Sequence, residues 1–406
     1  MNYQTYTLKN GLRLIHQQTE RQVAHCAIIV NTGTRDELEH EHGIAHFLEH
    51  IVFKGTSKRK AYHIISRMED VGGEIDAYTT KEETCIYASF LSQYYDRTME
   101  LMSDMIFNSS YPEKEIIRER DVILDEINSY NDSPAELIYD DFEELIFDGH
   151  PLGRNILGTK KSLKKFSGID LKEFAKRTYN TDQMVFCSVG NITFEKIIKY
   201  FEKYFGEIPA NPRNWKRKPF KNLIPIQKII SKKTHQAHCI IGTTAFNFRD
   251  KKRLPFLLLT NLLGGSGLNS RLNLSLREKN GLVYYVESSY TPYFDTGIFN
   301  IYLGCDKDKL NKAQHLIYKE ISKIKNDLLG INQLQRAKQQ MTGQIAISLE
   351  NSENLLLSLG KSYLLYNKVD SIEVVTERIE QITSKDILEV ANEVFIEDNF
   401  STLIYK

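Results

Sequence analysis

The segment His46–His50, with the sequence HFLEH, has the residue types and the spacing of a metal site. Two histidines four positions apart lie on one face of an α-helix, so both imidazoles can reach the same ion. The carboxylate of Glu49 beside them can take a proton from a water molecule at such an ion. The alternative interpretation is a solvated helix face with two surface histidines, which a pentapeptide alone does not exclude.

A third metal ligand has to come from another part of the chain, because a catalytic zinc ion takes three protein ligands and one water molecule. The helix predicted after Pro112 offers Glu115, Glu119 and Glu126 as candidates. Glu119 and Glu126 are seven residues apart, so they share a helix face but lie about 10 Å apart along the axis. Only one of these two can touch the ion, and spacing alone does not decide which.

The helix that must position the two histidines is predicted over residues 44–53. Apolar residues at positions 44, 47, 48, 51 and 52 follow the i, i+3, i+4 pattern of an amphipathic helix. At 100° per residue, His46, Glu49 and His50 fall together on the side opposite this apolar stripe. One side of the helix is therefore expected to pack against the core while the other presents the ligands.

The elements around this helix are predicted from alternation and turn residues. Asn10-Gly11 between two alternating segments predicts a β-hairpin, and a further strand is expected at 23–30. A helix at 61–71 ends at a Gly-Gly pair and is followed by strands at 74–79 and 84–90. This order of elements favours a sheet packed against helices.

The length of 406 residues suits two domains of about 200 residues each. Four of the nine prolines fall between Pro209 and Pro225, which predicts an interdomain linker over residues 206–226. We therefore predict an α+β fold of two homologous domains, each an antiparallel-rich sheet packed against helices. Their predicted limits are 1–205 and 227–406.

A short repeat supports a duplication of this domain. Ala24-His25-Cys26 is followed by Arg35-Asp36, and Ala237-His238-Cys239 is followed at nearly the same distance by Arg249-Asp250. The offset places the counterpart of the ligand-bearing helix near residues 257–266, where the sequence contains neither His nor a carboxylate. We therefore predict that only the first half carries metal chemistry.

Composition excludes several classes of function. The 53 basic and 53 acidic residues give a formal net charge of zero, which argues against nucleic acid or an anionic membrane as the main partner. No apolar run approaches the ~20 residues of a membrane span, and residues 1–14 lack the core of a signal peptide. We therefore expect a cytoplasmic protein without a membrane partner. The five cysteines contain no CxxC pair and are predicted to be buried structural residues.

The combined motifs resemble the pitrilysin and mitochondrial processing peptidase family of inverted zincins. His46–His50 is followed after 75 intervening residues by Glu126, within the segment RDVILDE. The segment GGEIDAYT at residues 72–79 resembles the substrate-side strand of the family, and REKNGLVY at 277–284 resembles its Arg…Tyr substrate-anchoring segment. Asp76 stands where the family usually has Asn, which predicts a preference shifted toward basic peptides.

The resemblance assigns roles to individual residues. It implies one Zn²⁺ per chain held by three ligands, with Glu49 as the general base that activates a zinc-bound water and Glu119 as a carboxylate that orients a ligand. It also implies substrate contacts from four residues. The implied zinc ligands are His46, His50 and Glu126, and the implied substrate-binding residues are Arg277, Tyr284, Ala77 and Tyr78. The expected activity is that of a zinc metalloendopeptidase acting on unfolded peptides or flexible protein segments.

Partners and alternatives follow from the same resemblance. Two-domain chains of this length in the family pair into a clamshell, and this chain carries both the zinc motif and the Arg…Tyr segment, so a homodimer is expected. A heterodimer with a related chain, in which this protein is a non-catalytic or partner-dependent subunit, is the alternative. S-ribosylhomocysteine lyase carries a similar HxxEH motif, but it is a much smaller single domain whose third ligand is a cysteine.

Overall fold

The computed structural model of the protein describes residues 3–221 and 224–406. Met1, Asn2 and two residues of the predicted linker, Asn222 and Leu223, lie outside the described residues. The described chain forms two compact units, each of which is discontinuous in sequence. The first unit comprises the residues up to Ile127 together with Arg154–Arg217 and Ile347–Ser371, and the second comprises the described residues of Asn128–Gly153, Lys218–Ala346 and Ile372–Lys406.

Strands of the first unit form one six-stranded sheet. They are β1 (Gln4–Thr7), β2 (Arg13–Gln18), β3 (Val23–Val30), β4 (Glu74–Thr79), β5 (Thr84–Leu91) and β6 (Met184–Gly190). Their spatial order is β1-β2-β6-β3-β5-β4. Neighbours are antiparallel except β2 and β6, which are parallel. The predicted hairpin at Asn10-Gly11 and the predicted strands at 23–30, 74–79 and 84–90 are confirmed.

Strands of the second unit form a five-stranded sheet. They are β7 (Gln227–Ile230), β8 (Ala237–Ala245), β9 (Val283–Pro292), β10 (Gly297–Cys305) and β11 (Ser401–Tyr405). Their spatial order is β7-β11-β8-β10-β9, with a parallel pair β7–β11 and antiparallel pairs elsewhere. Both sheets place their successive strands in the same order and direction once β1 is set aside. The predicted pair of α+β domains with one topology is confirmed.

Helices lie against both sheets. In chain order they are α1 (Ile44–Ile51), α2 (Ala61–Glu69), α3 (Tyr95–Phe107), α4 (Glu113–Asn131), α5 (Pro134–Ile146), α6 (Lys160–Leu163), α7 (Gly168–Thr178), α8 (Phe194–Phe205), α9 (Arg253–Gly264), α10 (Leu310–Asn326), α11 (Ile331–Glu350), α12 (Ser352–Tyr366), α13 (Ile372–Gln381) and α14 (Ser384–Val394). A π-helical segment spans Asn273–Glu278. No helix in the described part of the chain is long and apolar enough to cross a membrane.

Helices cover both faces of the first sheet. Side chains alternate along its strands, so successive residues of one strand pack against helices on opposite faces. Ile28 of β3 lies in the core formed with α1, α3, α7 and α8, whereas Ala27 and Ile29 face α12 on the other side. A strand buried on both faces is expected to be mainly apolar, and β3 is apolar except for the partly exposed His25, whose Nδ1 lies 2.8 Å from Ser89 Oγ. The five cysteines are all buried, as predicted.

Each unit contains one helix that comes from the opposite half of the sequence. α5, from the first half of the chain, packs on β8 and β11 of the second unit. α12, from the second half, packs on β3 and β6 of the first unit. The compact units therefore do not follow one cut in the sequence. The limits 1–205, 206–226 and 227–406 stay a prediction about the duplicated domains.

Three helix boundaries differ from the predictions. The helix predicted over residues 61–71 ends at Glu69. The ligand-bearing helix ends at Ile51 instead of residue 53. Its counterpart in the second half spans Arg253–Gly264, whereas the offset predicted residues 257–266. Pro255 lies in the first turn of α9, where its missing N–H removes no intrahelical hydrogen bond, so the helix can begin earlier than the apolar pattern indicates.

Candidate metal centre

Packing of α1 determines which of its residues point out of the core. Phe47, Leu48 and Ile51 are fully buried among the helices and strands of the first unit. His46 is 7% exposed, while Glu49 and His50 are of intermediate exposure. The helix thus presents a histidine pair with a carboxylate beside it, as the periodicity predicts.

The two histidines of α1 meet one carboxylate of α4. Nε2 of His46 and Nε2 of His50 each lie 3.7 Å from Oε2 of Glu126. One potential ligand atom from each of these three residues lies within 4.8 Å of the other two. Within residues 3–221 and 224–406, no other group of three or more His, Cys, Asp and Glu side chains converges in this way.

The positions of Glu119 and Glu126 distinguish these two candidate ligands, which their spacing in the sequence does not. Glu119 faces a different nitrogen of His50 from Glu126. Its Oε2 lies 3.2 Å from Nδ1 of His50, on the side of the imidazole away from Glu126. Its Oε1 lies 2.8 Å from Nζ of Lys54. Burial raises the pKa of Glu119, but His50 and Lys54 outweigh it, so the pKa lies below its usual value. An ionised Glu119 can hold the Nδ1–H tautomer of His50 and leave Nε2 free for an ion.

Sequence reasoning did not single out Lys54. It follows His50 by four positions, directly after the predicted helix, and a lysine at a helix end is ordinarily attributed to the helix dipole. Its actual partner is Glu119 on α4, which no local pattern indicates. The i, i+4 spacing from His50 is the only signal that the sequence offers.

The surroundings of Glu49 raise its pKa above the ordinary value. Burial is the main cause that raises its pKa, and the carboxylates of Glu126 and Asp76 add to it. The Thr79 hydroxyl and His50 act in the opposite direction. Oε2 of Glu49 is buried and has no hydrogen-bond partner among the described residues. A buried carboxylate oxygen without a partner keeps its capacity to accept a hydrogen bond from a water molecule or a substrate group.

His46 is kept neutral by its surroundings. Burial, assisted by the neighbouring His50, lowers the pKa of His46 to about 3. The imidazole centroids of the two histidines are 4.7 Å apart at an angle of 65°. A neutral imidazole with a free Nε2 lone pair is the form that binds a metal ion.

These residues fit a zinc ion. Tetrahedral ligands at about 2.0–2.1 Å from zinc lie about 3.4 Å from one another, close to the 3.7 Å between the imidazole nitrogens and Glu126. Two histidines and one glutamate leave a fourth position open, which is typical of catalytic zinc rather than structural zinc. The unpartnered oxygen of Glu49 lies on the same helix face, where that open position is expected.

The strand β4 lies at the edge of the first sheet and pairs on one side with β5. Ala77 packs toward α1, whereas the Tyr78 ring lies on the α12 side. There its hydroxyl donates to Oε1 of Glu83 at 3.0 Å, and Lys361 lies 5.2 Å from the ring centroid. Tyr78 therefore offers backbone groups rather than its ring to a peptide on the α1 side.

Arg277 and Tyr284 lie in the second compact unit. Arg277 is half exposed in the π-helical segment, with Nε 4.0 Å from Oε1 of the adjacent Glu278. Tyr284 begins the exposed part of β9, is 56% exposed and donates its hydroxyl to Oδ1 of Asp306 at 2.8 Å. The structure thus brings the zinc ligand candidates, Glu49 and Glu119 together in one unit and places these two residues in the other.

Comparison with known proteins identifies the family. Residues 13–160 match the family model described as insulinase (peptidase family M16), and residues 165–341 match the peptidase M16 inactive domain. A Bacillus subtilis protein named uncharacterized zinc protease YmxG is 32% identical over 402 residues, which cover 98% of this chain and 97% of that protein. The chain belongs to peptidase family M16. The predicted pitrilysin-like family is confirmed.

Other M16 relatives are of similar length. An uncharacterized zinc protease from Rickettsia bellii is 32% identical over 99% of this chain and 97% of its own. Among solved structures, a protease from Helicobacter pylori superposes with a TM-score of 0.92 at 23% identity, covering 100% of this chain and 99% of that chain. A peptidase M16 inactive domain from Pseudomonas fluorescens gives a TM-score of 0.91 at 18% identity. These two structures show that the fold is that of M16 proteins.

Proposed function

We propose that this M16 chain is a zinc-dependent endopeptidase that cleaves unfolded peptides or flexible protein segments, with Glu49 as the general base. The convergence of His46, His50 and Glu126 next to that carboxylate carries the proposal. Three ligands with an open fourth position and an adjacent carboxylate of raised pKa are the parts that metal-assisted peptide hydrolysis requires. The names of the zinc protease relatives agree with it.

Each residue has a distinct part in this chemistry. A bound zinc ion supplies Lewis acidity, which polarises a peptide carbonyl and makes a coordinated water more acidic. Glu49 accepts the proton of the attacking water, because its unpartnered Oε2 is available for that hydrogen bond. The same carboxyl then donates the proton to the leaving amine. Glu119 orients His50 through Nδ1 and does not touch the substrate.

The substrate class follows from the edge strand. β4 pairs with β5 along one side, so its other side presents backbone groups that can hydrogen-bond an extended peptide. Backbone recognition selects for extended conformation more than for sequence, and a folded protein cannot supply such a strand. Ala77 and Tyr78 are proposed to take part through their backbone. The Ala77 N–H donates to Oδ1 of Asp76 at 2.8 Å, so a peptide carbonyl that binds there would displace that carboxylate. Asp76 adds a negative charge that favours basic peptides.

The quaternary part of the proposal is a homodimer that needs no different partner. The chain carries both the candidate zinc ligands and the Arg277/Tyr284 segment, so two copies of it would supply both parts of the proposed site. Arg277 and Tyr284 are proposed to grip the substrate backbone or the developing oxyanion of a site completed by the partner chain. Their exposure in the second unit is compatible with this role.

Degradation of a peptide library by the pure protein, with and without a chelator, tests the proposed function. We expect about one zinc per chain, cleavage of extended peptides, and loss of cleavage on chelation that added zinc restores. Zinc binding without cleavage, restored when a related chain is added, would instead support a partner-dependent subunit. A chain that binds no zinc would refute the proposal.

A further inference from the structure

Glu37 places a buried carboxylate at the start of the ligand-bearing helix. Its Oε2 accepts a hydrogen bond from the Gly43 N–H at 3.0 Å, and its Oε1 accepts one from the Ala45 N–H at 3.0 Å. Glu37 is 4% exposed, so water does not compete for these donors. The sequence-based reasoning assigned no role to this residue.

These two hydrogen bonds matter because α1 is short. The first N–H groups of a helix have no partner within the helix, and Gly43, which precedes α1, has no side chain to supply one. A helix of eight residues is marginal by itself, so contacts outside it set its position. Ala45 is the neighbour of His46, and a shift there moves the imidazole directly.

Glu37 is itself held in a fixed frame. Nη1 of Arg154 donates to the backbone carbonyl of Glu37 at 2.8 Å and to that of Leu38 at 3.1 Å. Gly43, with φ of +92°, packs so closely on Gly158 that a Cβ on Gly43 would lie 2.6 Å from the Gly158 Cα. The carboxylate and the start of α1 therefore have little freedom to move apart.

The second half of the chain has a lysine at the position of Glu37. The sequence Arg35-Asp36-Glu37 corresponds to Arg249-Asp250-Lys251, and Lys251 is exposed. Lys252 precedes α9 and makes no side-chain hydrogen bond to the start of that helix. At the start of α9, Oδ1 of the partly exposed Asp250 accepts from the Lys252 N–H at 2.8 Å. The helix with the candidate metal ligands is instead held by a longer and more deeply buried side chain, which reaches two N–H groups.

We propose that Glu37 is a positioning residue of the metal centre. By fixing the Gly43 and Ala45 N–H groups, it sets the rotation of α1 about its axis, which aims Nε2 of His46 and His50 at Glu126. This inference rests on the proposed zinc site and adds to it a residue that touches neither metal nor substrate.

Three variants of the full chain test this role. Glu37→Ala removes both acceptors, and Glu37→Gln retains one, so a positioning role predicts partial recovery in the second. Glu41→Ala is the matched control, because Glu41 lies in the same loop, is 8% exposed and accepts from the Leu38 N–H and from Arg177 without touching α1. Zinc affinity is measured by chelator competition, ligand geometry by the visible absorption of the cobalt-loaded protein, and melting temperature on the metal-free protein.

We expect Glu37→Ala to weaken zinc binding by about 10–100-fold, the usual effect of removing a group that orients ligands, and to alter the cobalt spectrum. Glu37→Gln should lose less, and Glu41→Ala should match the wild type in both readouts. If Glu37→Ala does not fold, Glu37→Gln carries the test. Wild-type affinity and spectrum in the Glu37 variants, or equal losses in Glu41→Ala, would overturn this inference alone. A wild-type chain without zinc would overturn the proposed function as well.

Discussion

The contact between α1 and α4 in the first unit has a counterpart between α9 and α11 in the second. α1 and α9 each follow the central strand of their sheet, and α4 and α11 each precede the last strand of theirs. In the first pair, His46 and His50 each point a nitrogen at Glu126 over 3.7 Å. In the second pair, Nδ2 of Asn261 donates to Oε1 of Gln344 at 3.0 Å.

The two contacts differ in whether the facing side chains supply a hydrogen-bond donor as well as acceptors. An amide group contains both a donor and an acceptor, so Asn261 can donate to Gln344, and Gln344 can donate in turn to Ser266, without a bound ion. Neutral imidazole nitrogens and a carboxylate oxygen all present lone pairs, which converge on one point and call for a cation. The two corresponding helix pairs therefore carry either a hydrogen-bonded structural contact or a candidate metal site, and their side chains make the difference.

Replacement of Glu49, the proposed base, should have the largest effect on activity. Glu49→Gln keeps the size of the side chain but cannot accept a proton, so peptide cleavage should fall by about 10²–10⁴-fold. Zinc content should stay at the wild-type value, because Glu49 is not among the three converging ligands. Turnover of a fluorogenic peptide and elemental analysis measure the two quantities. Retained turnover would contradict the mechanism.

Replacement of Glu126, the candidate ligand on α4, by an amide should make the contact between α1 and α4 more like the amide contact between α9 and α11. Glu126→Gln removes the carboxylate that both histidines face, whereas Glu119→Gln removes only the partner of His50 Nδ1. We expect zinc affinity to fall about 10–100-fold in Glu119→Gln and considerably further in Glu126→Gln. Chelator competition gives both affinities. Equal losses would contradict the assignment of Glu126 as the ligand.

Mixed dimers test whether an active site combines Glu49 of one chain with Arg277 and Tyr284 of the other chain. An inactive Glu49→Gln chain is combined with an inactive chain that carries Arg277→Ala and Tyr284→Phe. If sites are shared between partners, about half the dimers are mixed and each regains one of two sites, so activity should approach about a quarter of wild type. Mixtures that stay inactive although the chains exchange would place the active site within one chain or with another partner.

Acid should destabilise the first unit through His16. Burial lowers the pKa of His16, whose Nδ1 faces Ser188 Oγ at 3.1 Å and whose Nε2 faces the Ile192 carbonyl at 3.0 Å. The unfolded chain binds the proton more readily, so stability falls as pH drops below about 6.5 toward the lower folded pKa, by at most about 1.4 kcal/mol per pH unit. Denaturant unfolding of the metal-free protein at several pH values measures the slope. His16→Gln should reduce it, and replacement of the exposed His63 by Gln should not.

The smallest effect is expected in the second unit. Gln344→Ala removes the hydrogen bond from Asn261 and the longer one, of 3.5 Å, that Nε2 of Gln344 donates to Ser266 Oγ, so the free energy of unfolding should fall by about 0.5–1.5 kcal/mol. Zinc affinity and peptide cleavage should match the wild type, because this contact holds no metal ligand. Chemical denaturation and the zinc assay provide the two measurements. A loss of zinc binding in this variant would show that the two contacts are not independent.

The sequence by itself determined the local features of the site and the repeated topology. Helical periodicity places His46 and His50 on one face of α1, because 3.6 residues per turn is a property of the backbone alone. Alternation of apolar and polar residues predicted the strands, and the Asn10-Gly11 turn predicted the hairpin, because both also depend on local backbone geometry. The absence of ligands near residues 257–266 was also readable, since it needs only the offset between the halves.

Tertiary structure decided how distant segments meet. Glu119 and Glu126 share a face of α4. The point at which α4 crosses α1 places Glu126 near Nε2 of both histidines and Glu119 near Nδ1 of His50. Glu37 and Lys54 gain their partners in the same way, through loops and helix ends without periodic patterns. Local patterns record which face a residue occupies, whereas the crossing of two helices depends on the packing of the whole unit against its sheet.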